Sequence, residues 1–401
     1  MGYPATGGTA HGPAHYAPEP QASGVGLKLL SLFLGLAVLI LAALGFWLAT
    51  SAQSASDDAE RAAAAAAPAG EQAAGDAAHA TAPAAGADDG VGAVATPSYA
   101  GLMAPDAEKI AAAHEPFPAE LPALQAGPVA RVNLSIEHEV VEIAPGVKYQ
   151  AWSFGKSIPG PVINVRQGQL VKVTMKNTSP MPHSIDFHAA RIAPDKAFVD
   201  IAPGESFTFQ FRADDPGVYM YHCGTKPVLA HIANGMYGAI VVQPKEGVLE
   251  PAHHEYVLVS SEWYLNRAGL DQPASLDMTK ANQMIPDWVT WNGYANQYVT
   301  HPLRTDPGHL TRFWVVAAGP SLDTDFHVVG TLLNRAYVNQ DVTQYQRNVG
   351  TASVPAGGGA IFDVKIDEPG LYPFVSHSFA SVNMGQVGLL EVGNPKGTMS
   401  H

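Results

Sequence analysis

Two strings of the chain, MPHSIDFH and YHCGTKPVLAHIANGM, carry His183, then His222-Cys223, then His231 after seven intervening residues and Met236 after four more. A thiolate and two imidazoles with a thioether as a weak axial ligand form the ligand set of a mononuclear blue copper site, because soft sulfur and imidazole together suit both copper oxidation states. Cys223 is the single cysteine, so an intramolecular disulfide, a haem attachment or an iron–sulfur cluster is excluded. A lone cysteine in a β core is most often an inert small hydrophobe. Four residues of the right types, in this order, weigh against that reading here.

The period of a β-strand adds a second group. Successive side chains along a strand point to opposite faces. If His183 faces inward, Asp186 and His188 face outward, and an inward Cys223 turns His222 outward too. Two imidazoles and a carboxylate on one face make an incomplete metal site, since a catalytic site usually has three protein ligands and an open position. The third ligand has to come from elsewhere.

The elements that position these residues are short β-rich runs separated by Gly, Pro, Asn and Asp turns, among them Val162–Val165, Leu170–Met175, Ser206–Phe211, Ala239–Val242 and Tyr256–Val259. This texture predicts an all-β sandwich or barrel. The region also repeats itself. RQGQLVKV at Arg166 resembles TDPGHLTRF at Thr305, IDFHAA at Ile185 resembles TDFHVV at Thr324, DPGVYMY at Asp215 resembles EPGLYPF at Glu368, and GMYGAIVV at Gly235 resembles GQVGLLEV at Gly385. Residues 129–247 and 254–395 therefore read as two copies of one β-sandwich. In the second copy Leu322, Ser376 and Gln386 stand where His183, Cys223 and Met236 stand in the first, so it cannot build the same thiolate site. It keeps His327 and His377 on the strands that carry ligands in the first copy, which makes it the expected donor of the missing ligand.

The chain has 401 residues and a formal net charge of −14. An acidic chain of this kind lacks the basic patch that supplies most of the affinity for phosphates, so nucleic acid is not an expected partner. Residues 1–28 read as a disordered tail. Residues 29–49 form an uncharged apolar run close to the ~20 residues that cross a bilayer as a helix. It is longer than a signal peptide's apolar region and is expected to stay as an anchor. Lys28 before it and Asp57, Asp58 and Glu60 after it place the C-terminal bulk outside the cytoplasm, on the periplasmic side of the cytoplasmic membrane. Residues 50–125, rich in Ala, Gly and Pro, read as a flexible tether.

These motifs resemble those of the copper-containing nitrite reductases of the multicopper oxidase superfamily, over residues 129–395. PHSIDFH looks like the family's first copper strand, HCGTKPVLAHIANGMYG its Cys-His-Met loop, FHVVG the second-domain strand with an active-site histidine, and SHSF the strand of the last ligand. The seven-residue gap between Cys223 and His231 is similar to the shorter-loop subclass that includes membrane-associated enzymes. The fold implied is all-β, two tandem cupredoxin-like Greek-key β-sandwiches behind one transmembrane helix and a disordered linker.

The resemblance implies type 1 copper on His183, Cys223, His231 and Met236, and type 2 copper on His188, His222 and His377, the last from the neighbouring subunit of a homotrimer. It gives Asp186 and His327 the water and proton relay, and Val329 a place over the bound substrate. The implied reaction is one-electron reduction of nitrite to nitric oxide, as in denitrification. The electron would come from a soluble cytochrome c or cupredoxin and pass along Cys223–His222 to type 2 copper. Three features depart from the family: SFASVNMGQVG after His377 is one residue short, IAPDKAF replaces a glycine-rich loop, and with Cys223 the single cysteine the membrane tether is expected to be the helix of residues 29–49 and not a lipidated cysteine. Two other readings compete. A laccase-like oxidase needs a trinuclear cluster built from HxH pairs and histidines on both sides of the cysteine, whereas Gly224 follows Cys223 and the chain has no HxH pair. A non-enzymatic blue-copper electron carrier would leave the outward histidines idle.

Overall fold

The computed structural model describes residues 103–394. The expected tail, membrane helix and most of the tether lie outside them, and among the described residues no helix is long and apolar enough to cross a membrane.

Eight strands occupy the first half: β1 (Val129–Ala144), β2 (Val147–Phe154), β3 (Gly160–Arg166), β4 (Leu170–Asn177), β5 (Asp186–Phe187), β6 (Ser206–Arg212), β7 (Gly217–His222) and β8 (Tyr237–Gln243). They form two four-stranded sheets, ordered β2-β1-β4-β6 and β3-β8-β7-β5. Eleven more follow: β9 (His254–Trp263), β10 (Trp288–Trp291), β11 (Leu303–Thr305), β12 (Leu310–Gly319), β13 (Thr324–Val328), β14 (Leu333–Tyr337), β15 (Gln346–Val349), β16 (Ala352–Val354), β17 (Gly359–Lys365), β18 (Gly370–Ser376) and β19 (Val387–Val392). These make a six-stranded sheet, β10-β9-β12-β17-β14-β15, and a five-stranded one, β11-β19-β18-β13-β16. The all-β class expected from the sequence is what the structure has.

Alternation explains the first core. In β1, Ala130, Val132, Leu134 and Ile136 are buried. They face Phe187 and Ile240 across the sandwich, in the same cluster as Phe211 of their own sheet and as Cys223 and Met236. β12 breaks the pattern, with all ten residues buried. Both of its faces are covered, so its apolar residues run continuously instead of alternating. One face packs into the second sandwich through Phe313 and Val315. The other packs through Trp314 and Val316 onto Val218, Met220 and Val241 of the first. The approach is close: a Cβ at Gly359 would lie 2.2 Å from the Val218 carbonyl oxygen. Only glycine lets these two backbones meet there.

Arg312 lies within β12 and is buried. Its guanidinium makes bonds of 2.7 and 3.0 Å to both oxygens of the buried Asp363 on β17, and donates to Glu250 O at 2.9 Å in the segment that joins the sandwiches. Arg312→Met is expected to destabilise the fold by about 3–5 kcal/mol, because it leaves a buried carboxylate with only Arg335 Nη1, 3.5 Å away, as its cation. A denaturant midpoint indistinguishable from that of the unchanged chain would refute this.

The repeat is visible in the backbone. A helix, α3, spans Val228–Ala233 after β7, following α1 (Ala107–Ala113) and α2 (Pro194–Ala197). Its counterpart after β18 is α6 (Phe379–Asn383), after α4 (Met278–Gln283) and α5 (Gln297–Thr300). Met236 N donates to His231 O at 3.2 Å, and Gln386 N donates to Ser381 O at 2.9 Å. The tether expected up to residue 125 is not free in its last part. After α1, His114 stacks on Tyr294 at 3.6 Å. Leu121 N donates to Glu255 O at 2.9 Å, and Ala119 is buried in the second core. Composition conceals this because the strap docks through a few side chains and backbone bonds, with no repeating apolar face.

Candidate metal centres

His183, Cys223 and His231 are fully buried at one end of the first sandwich. His183 Nδ1 and His231 Nδ1 are 3.0 Å apart, and Cys223 Sγ lies 3.2 Å from His231 Nδ1 and 3.8 Å from His183 Nδ1. Met236 is buried in the same core, its carbonyl accepting from Cys223 N at 3.1 Å. Ser184 organises the loop after the cysteine. Its N–H donates to Cys223 Sγ at 3.4 Å, and its hydroxyl accepts from Gly224 N at 3.1 Å.

Burial sets the protonation here. It lowers the His183 imidazole to about 3, helped by His231 and His138, and lowers His231 to about 4. Both rings are therefore neutral, the form that binds a metal. Burial raises the Cys223 thiol, with N–H and hydroxyl donors from Ser184 and Thr225 opposing it. A thiolate in that position needs a cation beside it. Two facing Nδ1 atoms and a buried sulfur fit a soft metal ion.

His138 lies outside the two ligand strings of the sequence. Its Nε2 lies 2.9 Å from His183 Nε2, and its ring stacks on Trp152 at 4.8 Å. A partner on the far nitrogen fixes the tautomer and aim of a metal-binding ring. The signal was present: in β1 the even-numbered residues through Ile136 face the core, and His138 continues that parity.

On the opposite face, Asp186, His188 and His222 come together. Asp186 pairs with His222 across β5 and β7. His188 Nε2 and His222 Nε2 are 3.0 Å apart, and Asp186 Oδ2 is 4.0 Å from His222 Nε2. Each Nδ1–H has a backbone acceptor, Gly357 O at 3.0 Å for His188 and Cys223 O at 2.9 Å for His222. With both Nδ1 atoms protonated, two Nε2 lone pairs point at each other. That arrangement is stable only around a proton or a metal ion, so these residues fit one. His222 and Cys223 are consecutive, so one peptide bond joins the two clusters. Gly357 belongs to the second copy, which therefore sets the tautomer of His188.

His327 and His377 are not part of that cluster. They are neighbours on β13 and just after β18, with ring centroids 5.4 Å apart. His327 Nδ1 donates to Gly350 O at 2.6 Å, which leaves Nε2 available. Val329 N donates to Pro373 O at 2.8 Å, and its side chain packs on Val375, Val382 and Val387 beside α6. The segment after His377 holds α6, and the one after Arg191 holds α2. A cavity of about 400 Å³ opens beside His188, lined also by Arg191, Asp215, Tyr219 and residues 339–343. Arg191 is committed to Asp215 by bonds of 2.6 and 2.7 Å.

Residues 135–247 match the multicopper oxidase family. The copper-containing nitrite reductase of Neisseria gonorrhoeae is 38% identical over 268 residues, which are 65% of this chain and 68% of that protein. That of Pseudomonas chlororaphis is 27% identical over 66% of this chain and 78% of its own length. Among solved structures, copper nitrite reductase from Nitrosomonas europaea superposes with a TM-score of 0.62 at 34% identity, covering 66% of this chain and 94% of that one. Identity at this level, across most of each relative and over both sandwiches, leaves one conclusion: the chain belongs to the family of copper-containing nitrite reductases.

Proposed function

We propose that the chain reduces nitrite by one electron, taking up two protons and releasing nitric oxide and water. The observation that carries this reading is the back-to-back arrangement at His222-Cys223: a buried sulfur–imidazole cluster on one side, and two imidazole Nε2 atoms with a carboxylate on the other. His183, Cys223, His231 and Met236 hold type 1 copper, and His138 aims His183. His188 and His222 hold type 2 copper together with His377 of a neighbouring copy in a homotrimer. The separation of His377 from the Asp186–His188–His222 cluster supports that assignment. Copper supplies the electron and a Lewis acid for the nitrite oxygens.

The remaining work falls to side chains. Asp186 and His327 deliver protons, and Val329 walls the substrate site. Residues 129–247 and 254–395 act as two cupredoxin domains, the first carrying type 1 copper. Residues 29–49 anchor them on the periplasmic side of the membrane, where a small cytochrome c or cupredoxin gives up the electron.

The test is anaerobic. Copper-loaded protein is reduced until its visible band is bleached and then mixed with nitrite. Return of the band with release of nitric oxide supports the reading. Return of the band with oxygen but not with nitrite refutes it in favour of an oxidase. No return with either refutes it in favour of an electron carrier.

A further inference from the structure

The corner where each sandwich enters its long core strand is built on the same turn in both copies but with different side chains. In the first copy Gln169 N donates to Arg166 O at 3.0 Å, and in the second His309 N donates to Asp306 O at 3.0 Å. The second turn reads Asp306-Pro307-Gly308-His309, with Gly308 at φ +77. Proline followed by a glycine in the left-handed region is the signature of a rigid type II turn. Such a turn fixes the Asp306 carboxylate and the His309 imidazole side by side.

The first copy uses this corner structurally. Gln169 Nε2 donates to Gln125 O and Gly127 O at 3.0 and 2.8 Å, and its Oε1 accepts from Arg166 N at 2.9 Å. The second copy has nothing equivalent. His309 Nδ1 is buried and has no hydrogen-bond partner. The nearest carboxylate oxygen, Asp306 Oδ2, is 3.6 Å away. That is too long for a hydrogen bond, but it is the separation of two ligands each ~2.0–2.2 Å from a shared ion. His254 completes the group from the start of β9, where it pairs with Thr311. Its ligand atom and those of Asp306 and His309 all lie within 4.8 Å of one another. His253 stacks on His309 at 4.0 Å, and its Nδ1 accepts from Leu310 N at 3.1 Å, so the His309 ring is held in place.

We propose that His254, Asp306 and His309 form a third metal site, which takes a divalent transition ion such as Zn(II) or Cu(II). Two imidazoles and one carboxylate suit such borderline ions and leave positions for water. Burial, with His309 beside it, lowers the His254 pKa, so that ring is neutral and ready to bind. Asp306 is exposed, so an ion can enter from its side of the cluster.

The test is a zinc titration of the full, copper-loaded chain, with zinc and copper counted by elemental analysis after gel filtration. One zinc per chain beyond the retained copper is expected. His254→Gln and Asp306→Asn should each weaken it by more than the ~10–100-fold lost when an outer partner of a metal ligand is removed. Copper content and the visible band should stay unchanged in both variants, which shows that they are folded. Zinc taken up only in exchange for copper, no added zinc, or equal affinity in the variants would overturn the site.

Discussion

Cys223→Ser is expected to abolish the visible thiolate-to-copper absorption and to lower nitrite turnover with an electron donor by on the order of 10³-fold or more, because residues that act as one unit fail together. Serine keeps the shape and removes the soft, ionisable sulfur that selects copper over harder ions. Its hydroxyl cannot become the anion that the buried His183–His231 pair needs opposite it. The second copy indicates that the strand tolerates serine there. Ser376 occupies the position of Cys223, is fully buried, and accepts Asp325 N at 3.1 Å. In the variant, the Ser184 N–H that now points at Cys223 Sγ at 3.4 Å finds an oxygen acceptor instead. The protein should therefore fold. On the proposed assignment it should keep the copper of His188 and His222 and lose the other, so copper per chain falls by half. Spectrum, metal content and turnover check this together. A retained visible band, or turnover within a few-fold of the unchanged enzyme, would count against Cys223 as the type 1 ligand.

The β class and the inward–outward division at His222-Cys223 were legible because strand geometry has a period of two. Both of these features are local. His138 followed the same parity and could have been read from β1, but nothing in its own string resembles a copper motif. Other parts of the site depend on contacts between distant segments. The carbonyl that fixes His188 comes from Gly357 in the second copy, and a carbonyl leaves no mark in residue type. Docking of the two copies rests on Gly359 against Val218. Glycine at a strand start reads equally well as a turn. β12 concealed its role differently, since a strand covered on both faces loses the alternation that marks strands facing solvent. The duplication carried more information than either copy alone. Where Cys223 and Met236 became Ser376 and Gln386, the fold kept the backbone bond of the loop and dropped both sulfur atoms. Where Arg166 and Gln169 became Asp306 and His309, it kept the turn and gained possible ligands.

Asp186→Asn is expected to lower kcat for nitrite by ~10²–10⁴-fold, the usual cost of losing a positioned proton donor. The reaction consumes two protons for each nitrite, and Asp186 is the carboxylate of the outward cluster, 4.0 Å from His222 Nε2 and partly open to solvent. Asparagine has the same shape and the same place in the β5–β7 pair, so the strand register and copper content should be unchanged. What it lacks is a transferable proton and a negative charge. His327 is the second donor in this scheme, its Nδ1 committed to Gly350 O and its Nε2 available. If the two groups serve one relay, the double variant Asp186→Asn, His327→Asn should be little worse than the slower single variant, because effects within one unit do not add. Asp186→Glu should recover part of the rate, since it restores the proton at a longer reach. A merely structural carboxylate would behave differently. Its loss would alter copper content or thermal stability and leave kcat per copper-loaded chain within about two-fold, inside the ordinary spread for surface substitutions. Steady-state kinetics on variants matched for copper content separates the two roles, because it counts only chains that hold both ions.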